Sequence, residues 1–242
     1  MSNQTSQPSQ YKSKKVTTQA HFFELLKSGD DFEQYDVANL DLSGVDFKSQ
    51  PIIGCDLTGI NLKGANLSGC DMTEACLDEA DLTGANLTKA VLDEGSANGA
   101  TFDNANLTEF SGVGGYFRCA SFKNAVAVKT EFGSADLRDA KLENTDFSGC
   151  AMEGTYLFSA EAKGANFSGS YLDWAWLSGI NAPNADFSKS SMCNTVLDKG
   201  DFTGSDFTDT DFDEDVCVVG TVFTQAKGMS DELKAYIAAE AA

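Results

Sequence analysis

Histidine occurs once in these 242 residues and proline three times. Catalysts that move protons at neutral pH usually draw on His, and a lone His21 leaves a catalytic triad without support. Basic residues are scarce as well. Seventeen Lys and Arg stand against 37 Asp and Glu, a formal net charge of −20. Nucleic acid and anionic membrane both repel such a chain, so direct nucleic-acid binding is not expected. No run of 18 apolar residues occurs, which excludes a membrane span, and MSNQTSQPSQYKSKK lacks the apolar stretch of a secretory signal. None of the seven Cys has CxxC or another metal-ligand spacing. That usage fits thiols packed as small hydrophobes in a reducing cytoplasm. Phosphate loops of the GxGxxG or GxxxxGK(S/T) kind are absent too. A cytoplasmic, acidic, non-enzymatic protein without a cofactor is expected.

What the chain does have is a period of five. Stepping from Leu42 by fives meets Phe47, Ile52, Leu57 and Leu62, and continues to Phe212, Cys217 and Val222: 37 positions in unbroken phase. Leu67, Leu82, Phe102, Phe132, Phe147, Phe167, Phe187 and Phe207 belong to this column and are candidate core residues. Two residues before the centre stands a small residue in 30 of 37 cases, Ala in 15 of them. Asp or Asn most often sits between the two, as in Ala65-Asn66-Leu67 and Ala80-Asp81-Leu82.

Neither a helix nor a strand repeats in five. One large and one small inward position, with three outward ones, make sense if each pentapeptide forms one side of a coiled chain. The A(D/N)LxX pattern resembles that of the pentapeptide-repeat proteins, over about three quarters of the chain. The resemblance implies an all-β fold, a right-handed quadrilateral parallel β-helix with four pentapeptides per 20-residue coil. The expected organisation is a disordered polar and basic tail (1–16), an N-terminal helical cap (17–39), a β-helix of roughly nine coils (40–226) and a C-terminal helix (227–242). At about 4.8 Å per coil the rod is roughly 43 Å long. Asp or Asn before the centre and Gly after it are expected to supply the unusual backbone angles of the turns.

Layer volumes support 20 residues per coil, because close-packed cores tolerate few voids. Gly112 shares its expected layer with Phe102 and Phe117, Ala127 with Phe122 and Phe132, and Cys217 with Phe202, Phe207 and Phe212. At the ends, short capping helices are expected: one over 17–28 with a Thr N-cap and Gly29 as stop, the other starting at Ser230 with Leu233, Tyr236 and Ile237 on one stripe.

Function must then reside on the outer faces, and two readings compete. The acidic one uses a net −18 over residues 41–224, including Asp201, Asp206, Asp209, Asp211, Asp213 and Glu214. A 43 Å duplex presents about 25 charges, so length and charge suit a DNA mimic. The chain is similar to loop-free members of the family. The resemblance implies that some of these bind type II topoisomerase, mainly gyrase, and protect it from poisons. The segment 209–215 lacks the Gly and distal Glu of a calcium loop, so it reads as solvated surface and not as a metal site. The other reading is a regulatory or scaffold protein whose partner docks on an exposed aromatic face. The outward column Tyr116, Asp136, Tyr156, Trp176, Val196, Val216 breaks the polar pattern, with Phe158, Tyr171 and Trp174 nearby. Such a face serves a homodimer or another protein partner.

Overall fold

The computed structural model describes residues 14–28, 35–37, 40–47, 49–213 and 215–240. In chain order it contains β1 (Lys14–Lys15), α1 (Gln19–Ser28), β2 (Tyr35–Asp36), a long run of coils, and α2 (Asp231–Glu240).

Each pentapeptide makes one side and one corner. The centre side chain points inward, and the next two residues form a turn closed by a backbone bond. Ala65 N–H donates to Leu62 O at 3.0 Å, for example, and Ala85 N–H to Leu82 O at 3.0 Å. The second turn residue is left-handed all along the rod. Gly64 and Gly84 adopt that conformation without steric cost. Elsewhere Asn, Glu, Lys, Ser and others hold it, none of them β-branched among the described residues. Four such corners restore the chain direction, so residues 20 apart pair in parallel, as Asn61 with Asp81 and Asn66 with Asn86. Backbone bonds link successive coils: Leu62 N–H to Asp81 O at 2.8 Å and Gly64 N–H to Thr83 O at 2.9 Å. The result is a solenoid of four-sided coils.

The Asp/Asn preference has a different cause from the one expected. These residues lie on the sides, not at the left-handed position. Their carboxylate or amide oxygen accepts hydrogen bonds from the residue two further on. Asp71 Oδ1 receives Thr73 N–H at 3.1 Å and its hydroxyl at 2.6 Å, and Asp81 does the same with Thr83 at 3.1 and 2.6 Å. The side chain thus holds the corner by bonding the local backbone.

Inside, Leu67, Leu82, Phe102, Phe132, Phe147, Phe167, Phe187 and Phe207 are all buried. Phenylalanines one coil apart stack face to face: Phe147 on Phe167 at 5.3 Å, Phe167 on Phe187 at 5.0 Å, Phe187 on Phe207 at 5.2 Å. The space left by Gly112 is filled by Phe117 and also by Phe110, a ring in the small column; a Cβ on Gly112 would lie 2.8 and 3.0 Å from them. Inward hydroxyls are satisfied by backbone carbonyls, either of the preceding coil, as Thr145 Oγ1 to Phe122 O at 2.6 Å and Thr155 Oγ1 to Phe132 O at 2.9 Å, or three residues back, as Ser170 Oγ to Phe167 O at 2.7 Å.

The phase of five does not run unbroken to 222. Trp176 pairs with Val196 at a spacing of 20, but Val196 pairs with Cys217 and Asp201 with Val222, at 21. One extra residue lies between Asp211 and Cys217. Val216 and Val218 are therefore the buried ones, while Val222 is exposed. Phe223 takes the inward place, stacked 5.5 Å from Phe202. Cys217 is not a centre, and its expected layer with Phe212 is corrected accordingly. In the regular coils the left-handed residue donates its N–H to a carbonyl of the next coil, as Trp174 does to Cys193 O. At Asn194 the Asp213 carboxylate receives that N–H, at 2.8 Å, and the Asn194 side-chain amide at 2.6 Å. A side chain replaces a backbone acceptor where the frame slips.

Thr18 begins α1, its hydroxyl accepting His21 N–H at 3.2 Å. Phe22 and Leu25 are buried, with Phe22 6.3 Å from the Phe47 ring. Ser230 begins α2 by accepting Leu233 N–H at 3.1 Å. Leu233 is buried, and Tyr236 and Ile237 pack against the core. Lys14 and Lys15, expected in a disordered tail, pair with Tyr35 and Asp36 as a short parallel ladder; residues 1–13 lie outside the described set. No described helix is long and apolar enough to cross a membrane.

Candidate protein-binding face

Pairing at 20 residues turns every outward position into a column. One column carries Cys76, Ser96, Tyr116, Asp136, Tyr156, Trp176, Val196 and then Cys217. Val216, expected to end it, points into the core because of the frame slip. Tyr116, Tyr156 and Trp176 are exposed, and so are Tyr171 on the neighbouring side and Trp174 at the corner between. These five are all the exposed Phe, Tyr and Trp side chains among the described residues. Half-buried Phe158 bridges the strip, its ring 6.3 Å from Tyr156 and 5.7 Å from Trp176.

The same column holds the one carboxylate among the described buried groups, Asp136. Arg138 closes on it from two residues away, with Nε 2.8 Å from Oδ1 and a second nitrogen on Oδ2. Burial between Tyr116 and Tyr156 would raise the Asp136 pKa, but the Arg138 hydrogen bonds and charge hold it below the usual carboxylate range. Arg118 occupies the equivalent corner one coil earlier, its Nε 3.9 Å from Asp136 Oδ2. Arg118 and Arg138 are absent from the sequence-based candidates, and Asp136 entered them only as a member of the outward column. The signal was there: the chain has only two Arg, 20 residues apart.

The acidic candidates are partly structural. Asp201 holds Thr203 (N–H 2.9 Å, hydroxyl 2.6 Å) and Asp206 holds Thr208 in the same way. Asp213 supports Asn194, as described above. Asp209 and Asp211 are exposed, and Glu214 lies outside the described residues. No group of three or more His, Cys, Asp or Glu among the described residues is placed to hold a metal ion. Burial pushes the Cys55, Cys70 and Cys150 thiols up to about 11, which keeps them protonated at neutral pH.

The family model for pentapeptide repeats matches residues 52–88, 116–154, 135–173 and 177–213, with eight copies, more than half of the chain. The chain is a pentapeptide-repeat protein. No curated protein sequence matches it. Among solved structures, this pentapeptide-repeat protein is similar to a trypsin-treated variant of QnrB1, a plasmid-mediated fluoroquinolone resistance protein, with TM-score 0.55 and 18% identity over 84% of this chain and 96% of that one. HetL, involved in heterocyst differentiation regulation in the cyanobacterium Nostoc sp. Strain PCC 7120, aligns at TM-score 0.40 with 17% identity over 88% of this chain and 94% of that one. A pentapeptide repeat protein of the Arabidopsis thaliana thylakoid lumen aligns at TM-score 0.40 with 35% identity over 41% of this chain and 69% of that one.

Proposed function

We propose that this chain is a non-catalytic rod that binds another protein through the face around Tyr156 and Trp176. The observation that carries the reading is that the five aromatics exposed among the described residues gather on two adjoining sides of the rod and the corner between them. Exposed apolar patches mark interfaces, and Tyr, Trp and Arg are enriched among interface hot spots. Trp174 adds to this. It holds φ +63°, a conformation that costs an L side chain roughly 1–2 kcal/mol and Gly nothing. It is the one aromatic among the described left-handed residues. Its side chain is 63% exposed, so the fold gains little from it. In this reading α1 and α2 cover the open ends of the rod, as buried Phe22 and Leu233 support. Trp176→Ala is expected to weaken association with the partner while leaving the melting temperature nearly unchanged. A large loss of thermal stability with association intact contradicts the reading.

A second reading rests on charge. The −18 carried by residues 41–224 suits a rod that stands in for DNA on a type II topoisomerase such as gyrase. Inhibition of gyrase supercoiling that fades with rising salt, and with Asp209→Asn and Asp211→Asn, supports it. Wild-type protein without effect on supercoiling removes it.

A further inference from the structure

We infer that Arg118 binds a carboxylate of the partner, and that the partner segment lying on the aromatic face carries an acidic residue with apolar ones three or four residues further on. This rests on the protein-binding reading of that face. The two Arg of the chain occupy the same corner of successive coils, yet only Arg138 hydrogen-bonds the Asp136 carboxylate between them. Arg138 places its fork on Asp136, whose Oδ1 also accepts the Arg138 backbone N–H at 3.2 Å. Arg118 stays beyond hydrogen-bond distance, 3.9 Å from that carboxylate, and its side chain is 51% exposed. Among the described residues its guanidinium makes that long ion pair and no hydrogen bond.

The surroundings suit a carboxylate attached to an apolar segment. A hollow of about 540 Å³ opens beside Arg118, bordered by Tyr116, Cys119, Asp136, Arg138 and Glu79. A second hollow of about 420 Å³ shares Tyr116, Asp136 and Arg138 with it and reaches Tyr156 and Phe158. From the coil of Arg118 to that of Trp176 is three coils, about 14 Å at 4.8 Å each, which an extended segment spans in about four residues. An Arg fork favours carboxylate geometry, and its partner on an acidic rod must bring its negative charge locally. A second copy of this chain is disfavoured, because it brings a further net charge of −20.

The test uses the full chain and two fluorescein-labelled peptides, Asp-Ser-Ser-Phe-Leu and its Asn-Ser-Ser-Phe-Leu control, read by anisotropy. The Asp peptide is expected to bind about tenfold tighter than the control. Arg118→Gln should erase that preference without moving the control or the urea midpoint, and Trp176→Ala should weaken both peptides alike. Alkylation of exposed Cys119 should slow with the Asp peptide. Equal binding of the two peptides, binding of neither, or a preference unchanged in Arg118→Gln overturns the carboxylate site. The face itself then stands or falls with the effect of Trp176→Ala on partner association. Wild-type dimers in sedimentation that Arg118→Gln dissolves also overturn it, in favour of a second copy.

Discussion

Val196 pairs with Cys217 and not with Val216, so the last coil carries one residue more than those before it. Val218 is consequently inward and 4% exposed, while Cys217 is half-buried on the outside. Val218→Ala is expected to lower stability by about 2 kcal/mol, and Cys217→Ala by less than about 0.5. Urea midpoints of the two variants decide it. Equal losses would return Cys217 to the interior.

Asp213 acts at the slip as a substitute backbone acceptor. Asp213→Ala leaves the Asn194 N–H without its acceptor and is expected to destabilise the final coil by about 1–3 kcal/mol. Limited proteolysis should then cut C-terminal to Asn194 sooner than in wild type. Asp213→Asn keeps one acceptor oxygen and should fall between the two.

Phe132 sits over Gly112 with its ring 5.3 Å from Phe117, 5.8 Å from Phe110 and 6.2 Å from Phe147. Little can collapse into the space it fills. Phe132→Ala is expected to cost about 3–5 kcal/mol, read as a fall in the denaturant midpoint.

Trp174→Gly separates fold from function. Relief of the left-handed backbone should leave the melting temperature unchanged or raise it, while association with the partner weakens. Lower thermal stability would show that the indole packs within its own chain.

Acid should loosen the corners. Thr73 and Thr208 hydroxyls and N–H groups hold the carboxylates of Asp71 and Asp206 below their ordinary value of 3.8. Because the folded pKa is the lower one, this stabilisation is present above the unfolded value and is lost as pH falls through the folded one. The urea midpoint should drop below about pH 4, and less steeply in an Asp71→Asn, Asp206→Asn variant, which retains the acceptor oxygens. Parallel curves for the two proteins would argue against it.

The coils and their core were legible because side-chain volume repeats with the period of the chain, and Leu67 or Phe167 has one inward place to go. The frame slip was hidden by chemistry. Cys217–Val218 and Val222–Phe223 are adjacent apolar pairs, so either frame places an apolar residue at each centre. The Asp/Asn column was visible but its cause was not, since a hydrogen bond to the residue two ahead leaves the same preference as a backbone angle. The aromatic strip followed from arithmetic in twenties as far as Val196. The Arg118–Asp136–Arg138 group was passed over because charged residues at corners look like solvated surface, and burial of Asp136 appears only in three dimensions.

The coil-to-coil bonds run along the rod, so each seam between neighbouring coils bears the whole of any pull applied to the two ends. Seams in series do not share a load; the weakest yields first. The seam at Asn194, where the Asp213 carboxylate stands in for a peptide carbonyl, is expected to be that one. Under tension the molecule is then expected to unwind from its C-terminal end, with the coils bearing Tyr116 to Trp176 keeping their shape until that end has gone.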